Sequence, residues 1–351
     1  MPRTLADRRA AADRFDFRHT HPALKVGTAS DRYAAWLGQI YPLDVWQDRV
    51  ETRAKKTSKG TFEERMLPIE SADDYFQHFD VLEIDFTYYR PLLSAEGKPE
   101  SNYFTLQQYV EHSPPDARFL LKVPGLFFAR QRRSSSGGEV RFTPNASYLD
   151  ADAFVVQFQE PAIELLGDRL GGFLFEQEYQ RKESAPDADA FVDELAAFFE
   201  AVPPDVQPHL EIRTPSLLTP AYFGFLEDAG FGHVFSHWQY LPPIREQWQK
   251  AGQRFTAADG TAVARLLSPL RMSFEDAFAQ AFPFEAPVEA LVNSEETQRM
   301  VLDAVALAFQ AERQQAVLNL IVNNRAYGNA PELARRIAHR VLDEAERRGD
   351  G

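Results

Sequence analysis

Short apolar runs recur along the chain, and most are bounded by proline, glycine or polar residues. Eight runs have the length and the branched or aromatic content that is typical of β-strands. In chain order they span residues 24–28, 81–86, 118–123, 172–175, 209–213, 233–237, 262–267 and 316–323. The second run reads VLEIDFTYYRP over 81–91 and alternates apolar and polar positions, which is the period of a strand.

Longer stretches with helical character lie between these runs. They span residues 72–79, 104–112, 151–166, 187–201, 220–229, 243–250, 295–314 and 331–347. Strands separated by helices predict a parallel sheet with crossover connections, and eight such units predict a single-domain α/β fold of the TIM-barrel-like (β/α)8 type. An open doubly wound sheet is the alternative, but no Gly-x-Gly-x-x-Gly motif follows any predicted strand.

Composition narrows the class of protein. The 351 residues are 44% hydrophobic and 26% charged, and the formal net charge is −14, which disfavours non-specific binding to nucleic acid or to an anionic membrane. The chain has no cysteine, so disulfides, zinc-thiolate sites and thiol nucleophiles are excluded. No apolar run reaches the roughly 20 residues of a membrane span. We therefore expect a cytoplasmic protein, with residues 1–22 as an N-terminal extension on the surface and 23–348 as the barrel domain.

Two basic segments interrupt the pattern, RAKKTSKG at 53–60 and RQRRSSSGG at 130–138. Both follow predicted strands, which places them at the carboxyl ends of the barrel strands. Their composition indicates mobile, solvated loops. The alternative is a lid, or an electrostatic attractor for an anionic ligand.

Charged side chains occur within or at the end of nearly every predicted strand. Burial of an unpaired charge costs several kcal/mol, so Glu83 and Asp85 in the second strand need partners. Lys122, Arg213 and Arg265 from other strands are the natural partners for these carboxylates and for Glu176 and Glu211. The residues therefore predict either a ring of structural ion pairs inside the barrel or a catalytic site, and Asp85 is equally interpreted as a structural partner of Arg213.

A catalytic interpretation assigns roles to these groups. Glu83 or Glu211 acts as general acid or base, tuned by Lys122 and Arg213. The residues predicted to bind substrate are Gly27, Thr28, Thr87, Tyr89, Arg90, Glu176, Gln177, Trp238, Arg265, Asn323, Asn324 and Gly328. Among them, Arg90 and Arg265 hold substrate charge. On this interpretation Glu83→Gln abolishes activity and leaves the melting temperature within a few degrees.

The end of the last strand suggests a phosphate site. Asn323 and Asn324 are followed by Gly328, Asn329 and Pro331, a sequence typical of a helix start with free backbone N–H groups. An ordinary capped helix is the alternative. The eight histidines show no paired ligand spacing, so no metal site is predicted, although clustered carboxylates can bind magnesium or manganese. No cofactor is identified.

The chain resembles the YecE-like family, also called domain of unknown function 72, from residue 24 to 338. The matching segments are VGT at 26–28, LEIDFTYYRP at 82–91, FLLKVP at 119–124, LGDRLGGFLFEQ at 166–177, LEIRTPSLL at 210–218 and VNNRAYGNAPELA at 322–334. The resemblance implies a TIM-barrel-like fold and a cytoplasmic protein, and it implies no reaction. The chain departs from the family in VGTASDRY at 26–33 and in Glu178-Tyr179, where proline-proline is usual.

These observations predict an enzyme that acts on a small polar or anionic, possibly phosphate-bearing, ligand at the carboxyl ends of the strands. A non-enzymatic protein that binds nucleic acid through its basic loops is one alternative. A metal-assisted phosphoester hydrolase is the other.

Overall fold

The computed structural model describes residues 4–136, 139–181 and 183–349. The strands are β1 (Leu24–Ala29), β2 (Glu51–Thr57), β3 (Gly60–Met66), β4 (Val81–Ile84), β5 (Phe119–Lys122), β6 (Gln131–Ser136), β7 (Glu139–Pro144), β8 (Leu170–Gln177), β9 (Pro208–Ile212), β10 (Gly232–His237), β11 (Thr261–Leu266) and β12 (Val317–Val322). The helices are α1 (Leu5–Asp13), α2 (Leu43–Trp46), α3 (Ala72–His78), α4 (Ser101–Glu111), α5 (Gly125–Phe128), α6 (Ala151–Phe154), α7 (Glu160–Leu166), α8 (Ala188–Ala201), α9 (Pro220–Ala229), α10 (Ile244–Lys250), α11 (Phe274–Ala281), α12 (Glu289–Val292), α13 (Glu295–Arg313) and α14 (Ala330–Arg348).

A closed barrel of eight parallel strands forms the centre of the molecule. Its order is β1-β12-β11-β10-β9-β8-β5-β4, and β4 pairs with β1 to close it. The predicted (β/α)8 fold is therefore confirmed, and each of the eight predicted strands is a barrel strand. The helix predicted over 151–166 is also present, with a π-helical turn, Val155–Gln159, between α6 and α7.

The period of two along the strands divides the barrel interior into layers. An apolar layer is formed by the cluster Ala29, Val81, Leu120, Leu174, Val234, Val263 and Ile321. Two residues further along their strands lie Glu83, Lys122, Glu176, Ser236 and Arg265. Successive side chains of a strand point to opposite faces, so this second set forms a polar layer directly above the apolar one. Asp31 and Asn323 follow the ends of β1 and β12. The outer faces of the strands pack on the helices in a separate, larger core.

The two basic segments are parts of β-hairpins, which the sequence analysis did not predict. β2 pairs with β3, and the hairpin packs on α11 through Phe62, whose ring centroid lies 5.1 Å from those of Phe278 and Phe282. Near the turn, Lys59 binds Asp276 at 2.7 Å. β6 pairs with β7 in the second hairpin. Residues 137–138 of the second basic segment lie outside the described residues.

The N-terminal segment forms the helix α1 at the surface of the barrel domain and packs against α14. Arg9 in α1 binds Asp343 at 2.7 Å and Glu346 at 2.8 Å, both in α14. Phe17 is fully buried, and its ring lies 5.1 Å from that of Phe79. None of the helices in the described part of the chain combines the length and apolar character that a membrane span requires.

Candidate functional site

Arg265 is the centre of an ion-pair network in the polar layer. Its side chain extends from β11 to β4, where Nε binds Glu83 Oε2 at 2.7 Å and Nη2 binds Glu83 Oε1 at 2.6 Å. Its Nη1 donates to Glu211 on β9. Glu83 and Arg265 are almost completely buried. Both oxygens of Glu83 are thus occupied by one guanidinium in the bidentate geometry that stabilises such pairs.

Glu176 at the end of β8 binds the other two cations of the layer. Lys122 Nζ lies 2.5 Å from its Oε2, and Arg213 Nη1 lies 2.7 Å from its Oε1. Burial alone would raise the pKa of Glu176, but the positive charges of Arg213, Lys122 and Arg265 outweigh it and hold that pKa well below its usual range. For Glu83 the balance is reversed, because burial raises its pKa despite the charges of Arg265 and Lys122.

Glu211 completes the network. It accepts a hydrogen bond of 2.5 Å from Ser236 Oγ and lies 3.1 Å from Arg213 Nη2. Three carboxylates and three cations thus balance one another in the network. The partners predicted for Glu83, Glu176 and Glu211 are confirmed as a set, since Lys122, Arg213 and Arg265 bind them. Asp85 is the exception, because among the described residues it forms no ion pair with Arg213 or with any other cation.

A cavity of about 470 Å³ lies above this network, at the carboxyl ends of the strands. Lys122, Glu176, Arg213 and Arg265 line its floor, and the β2–β3 hairpin contributes Arg53, Lys55, Glu64 and Met66 to its wall. Seven basic and five acidic side chains of the described residues line the cavity. In a chain whose net charge is −14, this local excess of positive charge favours an anionic occupant.

Arg325, which the sequence analysis missed, is a cation of this cavity without an acidic partner within ion-pair distance among the described residues. It follows Asn323 and Asn324 at the end of β12, and its guanidinium lies 4.6 Å from the ring centre of Phe274. Its Nε is buried and has no hydrogen-bond partner in the described part of the chain. Burial lowers the pKa of this guanidinium, so an anion in the cavity would stabilise its charge.

Three carboxyl groups of the cavity are outside the network, and one of them, Glu64, is paired with Arg53 and Lys55. The other two are Asp85 and Asp31. Asp85, at the end of β4, is half-buried and lines the cavity. Asp31 follows β1, is buried, and accepts a 2.7 Å hydrogen bond from Tyr109 at its Oδ1, while its Oδ2 has no partner among the described residues. Burial raises the pKa of Asp31 to about 6. Because β12, β1 and β4 are neighbours in the barrel, Arg325, Asp31 and Asp85 lie on one side of the cavity.

Several residues predicted to bind substrate have structural contacts and do not line the cavity. A β-carbon on Gly27 would collide with the carbonyl oxygen of Val81, so this glycine permits β1 and β4 to approach. Thr28 binds Tyr75, and Thr87 donates to the carbonyl of Lys122 at 2.7 Å. Gln177 accepts hydrogen bonds from the backbone of Arg213 and Thr214.

Arg90 also lies away from the cavity wall. It is exposed and binds Glu100 at 3.2 Å. Tyr89, Trp238, Arg265, Glu176 and Asn323 do line the cavity, as predicted for substrate-binding residues. Their roles remain predictions.

The backbone donors of the predicted phosphate site are already used. Asn324 Oδ1 accepts from Ala330 N at 2.8 Å, and Asn329 Oδ1 accepts from Glu332 N at 2.9 Å. Gly328 N donates to the carbonyl of Asn324. α14 therefore begins as an ordinary capped helix, and the phosphate site proposed there is not supported. Gly328 has φ +100°, and a β-carbon would lie 2.6 Å from Ala286 O, so it serves a close approach of two loops.

No cluster of three or more metal-ligating side chains with suitable geometry occurs among the described residues. The buried carboxylates face cations instead of one another, as the network shows. In the first hairpin, Arg53 and Lys55 both bind Glu64, and Lys59 binds Asp276. The basic residues proposed to attract nucleic acid are thus partly neutralised within the fold.

Comparisons with known proteins agree with this architecture. The model of a family described as "Protein of unknown function DUF72" matches residues 25–349. A solved DUF72 protein from Thermotoga maritima is 19% identical, with 91% of this chain and 99% of that chain covered and a TM-score of 0.54. One from Enterococcus faecalis is 18% identical, with 91% and 95% covered and a TM-score of 0.52. At these identities the structures support the fold alone. No curated protein matches the chain.

Proposed function

The chain belongs to the DUF72 family, whose name assigns no activity, and we propose that it is an enzyme that transfers protons on a small organic anion. The substrate binds in the cavity at the carboxyl ends of the strands, where barrel enzymes carry their active sites. Arg325 binds the anionic group. Asp85 and Asp31 donate or accept the proton.

The observation that carries this proposal is which of the basic side chains in the cavity form ion pairs and which do not. Lys122, Arg213 and Arg265 have carboxylate partners, whereas Arg325 has no acidic partner within ion-pair distance among the described residues. A partly buried guanidinium without an ion-pair partner is stabilised when an anionic ligand binds to it. Arg32 also lines the cavity without an ion pair in the described part of the chain, but its guanidinium donates to the carbonyl of Leu67 at 3.3 Å. Arg325 is therefore the cation of this cavity that is most available to a substrate.

The acid–base roles follow from the same comparison between side chains that are bound in the ion-pair network and side chains that are not. A general acid or base needs a free oxygen within reach of the substrate and a pKa near the working pH. Glu83 has both oxygens bound to Arg265, so the geometry moves the proposed role from Glu83 and Glu211 to Asp85 and Asp31. The pKa of Asp31, about 6, suits proton transfer near neutral pH. Lys122, Glu176, Arg213 and Arg265 form the charged floor that orients the substrate.

The test is turnover of small organic anions. The protein is incubated with a defined mixture of sugar phosphates, sugar acids and short carboxylic acids, and mass spectrometry follows depletion and product formation. We expect at least one anion to be converted, and Asp85→Asn to slow its conversion by about 100-fold or more. Asp189→Asn, on the exposed face of α8, is the matched control and keeps the wild-type rate. Equal rates for both variants, or no conversion of any anion, would contradict the proposal.

A further inference from the structure

We infer that the substrate is a monosaccharide that bears one anionic group, that is, a sugar phosphate or a sugar acid. This inference rests on the proposed function, because Arg325 supplies the contact to the anionic group. It adds the chemistry of the remainder of the molecule. Two aromatic side chains and two polar side chains of the cavity carry it.

Tyr89 and Trp238 lie on opposite sides of the cavity. Tyr89 follows β4 and Trp238 follows β10, and these two strands are four places apart in either direction around the closed ring of eight. Both side chains line the cavity. A ligand bound in this cavity can therefore meet an aromatic ring on either side.

Tyr89 contributes little to the stability of the fold. Its side chain is exposed, with 84% of its surface accessible, and the aromatic ring it meets among the described residues is that of Tyr88, at 5.6 Å. A large aromatic ring that remains exposed to water at the wall of a charged cavity is typical of a binding residue. Its apolar area is not buried by the fold and can be buried by a ligand. It fits a ligand with an apolar ring face.

Trp238, by contrast, is held in place. The Arg213 guanidinium lies 4.7 Å from its ring centre, and the ring of Tyr240 packs against it at 5.3 Å. Arg213 is in turn bound to Glu176 and Glu211 in the cavity floor. The ring of Trp238 is thus held in a fixed position on the side of the cavity opposite the more exposed Tyr89.

The polar groups beside these rings favour hydroxyl groups over a purely aromatic acid. The side chain of Asp85 has no hydrogen-bond partner among the described residues, and its carboxylate oxygens can accept from ligand hydroxyls. Asn323 Oδ1 accepts from Arg325 N at 3.0 Å, which leaves its NH₂ group as a donor toward the cavity. A sugar ring presents an apolar face to the aromatic side chains and hydroxyls to these acceptors and donors. The cavity volume of about 470 Å³ is within the ordinary range for small-molecule sites.

The experiment compares binding of six compounds by isothermal titration calorimetry. They are glucose 6-phosphate, glucuronate, glucose, inorganic phosphate, phenyl phosphate and adenosine monophosphate. We expect glucose 6-phosphate or glucuronate to bind at least about tenfold more tightly than each of the other four. Preference for the phosphate or for the acid identifies the anionic group, and either result supports the inference.

Variants test the role of the ring at position 89. Tyr89→Ala should reduce the affinity for the preferred sugar anion by about tenfold and leave the affinity for inorganic phosphate unchanged. Tyr89→Phe keeps the ring and should keep the affinity. Phe104→Ala removes an exposed aromatic side chain of α4 that does not line the cavity, and it serves as the matched control.

The outcomes separate this inference from the proposed function. If inorganic phosphate binds as tightly as both sugar anions, or Tyr89→Ala has no effect, the sugar assignment is wrong and anion binding at Arg325 stands. Tightest binding of phenyl phosphate or adenosine monophosphate also overturns the sugar assignment. If no anion binds, the proposed function fails, and the inference fails with it.

Discussion

Arg265 binds Glu83 across the barrel interior with two hydrogen bonds, of 2.7 and 2.6 Å, from strands that are not neighbours in the sheet. The pair therefore connects two strands that are three places apart in the closed ring of eight, and it forms part of the cavity floor. This geometry changes what a substitution at Glu83 does, because removing one partner leaves a buried charge.

We predict that Glu83→Gln lowers the free energy of unfolding by about 3–5 kcal/mol, the usual loss when one partner of a buried pair is removed. This revises the sequence-based expectation that the variant stays as stable as the wild type. Chemical denaturation followed by fluorescence measures the change. Glu100→Gln removes the exposed pair with Arg90 and should cost less than about 1 kcal/mol. If both variants are equally stable, the network does not hold the barrel together.

Three buried histidines predict that the protein loses stability in mild acid. Burial lowers the pKa of His209 and His237 to about 4 and that of His233 to about 3, from an ordinary value of 6.5. Between pH 6.5 and 4 the unfolded chain binds protons at these residues and the folded chain does not. The free energy of unfolding therefore falls as the pH falls through this window, by up to about 1.4 kcal/mol per pH unit for each histidine.

Asp31 opposes this trend. Burial raises its pKa, so the folded state binds the extra proton between about pH 3.8 and 6, and its contribution to stability grows as the pH falls. Denaturation curves at several pH values test the balance. In His233→Gln the slope of the unfolding free energy against pH should decrease by about 1.4 kcal/mol per pH unit, which corresponds to one proton. His339→Gln, at a partly exposed position, should keep the wild-type slope. Equal slopes for the two variants would show that His233 does not contribute.

The β2–β3 hairpin should be released when its aromatic contact is removed. Phe62 packs on Phe278 and Phe282, and the hairpin forms part of the cavity wall. We expect Phe62→Ala to make the chain several-fold more sensitive to trypsin at the basic residues of 53–59, with a change in melting temperature of a few degrees at most, because loop-like elements open locally.

Phe142→Ala is the matched control for this experiment. Phe142 lies in β7 of the other hairpin and is exposed, so its removal should leave cleavage at 53–59 unchanged. Mass spectrometry of early tryptic fragments identifies the cleaved bonds. Unchanged cleavage in Phe62→Ala would mean that the contacts with α11 do not hold the hairpin.

The sequence predicted the fold and the cavity floor because both depend on periodic patterns. Strands such as 81–86 and 209–213 have apolar runs at strand length, and the period of two places Glu83, Lys122 and Glu176 in one layer. Their opposite charges, once buried, had to pair. The exception, Asp85, lies beyond the end of its strand, where the period no longer fixes the direction of the side chain.

The rest of the site depends on loop conformation, which periodicity does not determine. Arg325 and Asp31 follow their strands in irregular segments. Nothing in the sequence indicates that Arg325 has no ion-pair partner among the described residues, or that Asp31 is buried. The phosphate site predicted at the start of α14 is not supported for the same reason, because Asn324 and Asn329 accept hydrogen bonds from the N–H groups there. The hairpin at 51–66 was missed because its basic composition resembled that of a solvated loop.

The role of Arg325 as the anion-binding residue is tested by the affinity for inorganic phosphate. This affinity is measured by isothermal titration calorimetry at low ionic strength for wild type, Arg325→Gln and Arg90→Gln. Arg90 is an exposed arginine on the same end of the barrel that already binds Glu100. We predict that the wild type and Arg90→Gln bind phosphate equally, and that Arg325→Gln binds at least about tenfold more weakly, since a charge-assisted hydrogen bond is worth about 1.5–3 kcal/mol. Equal affinities for all three proteins would contradict the assignment of Arg325 as the anion-binding residue.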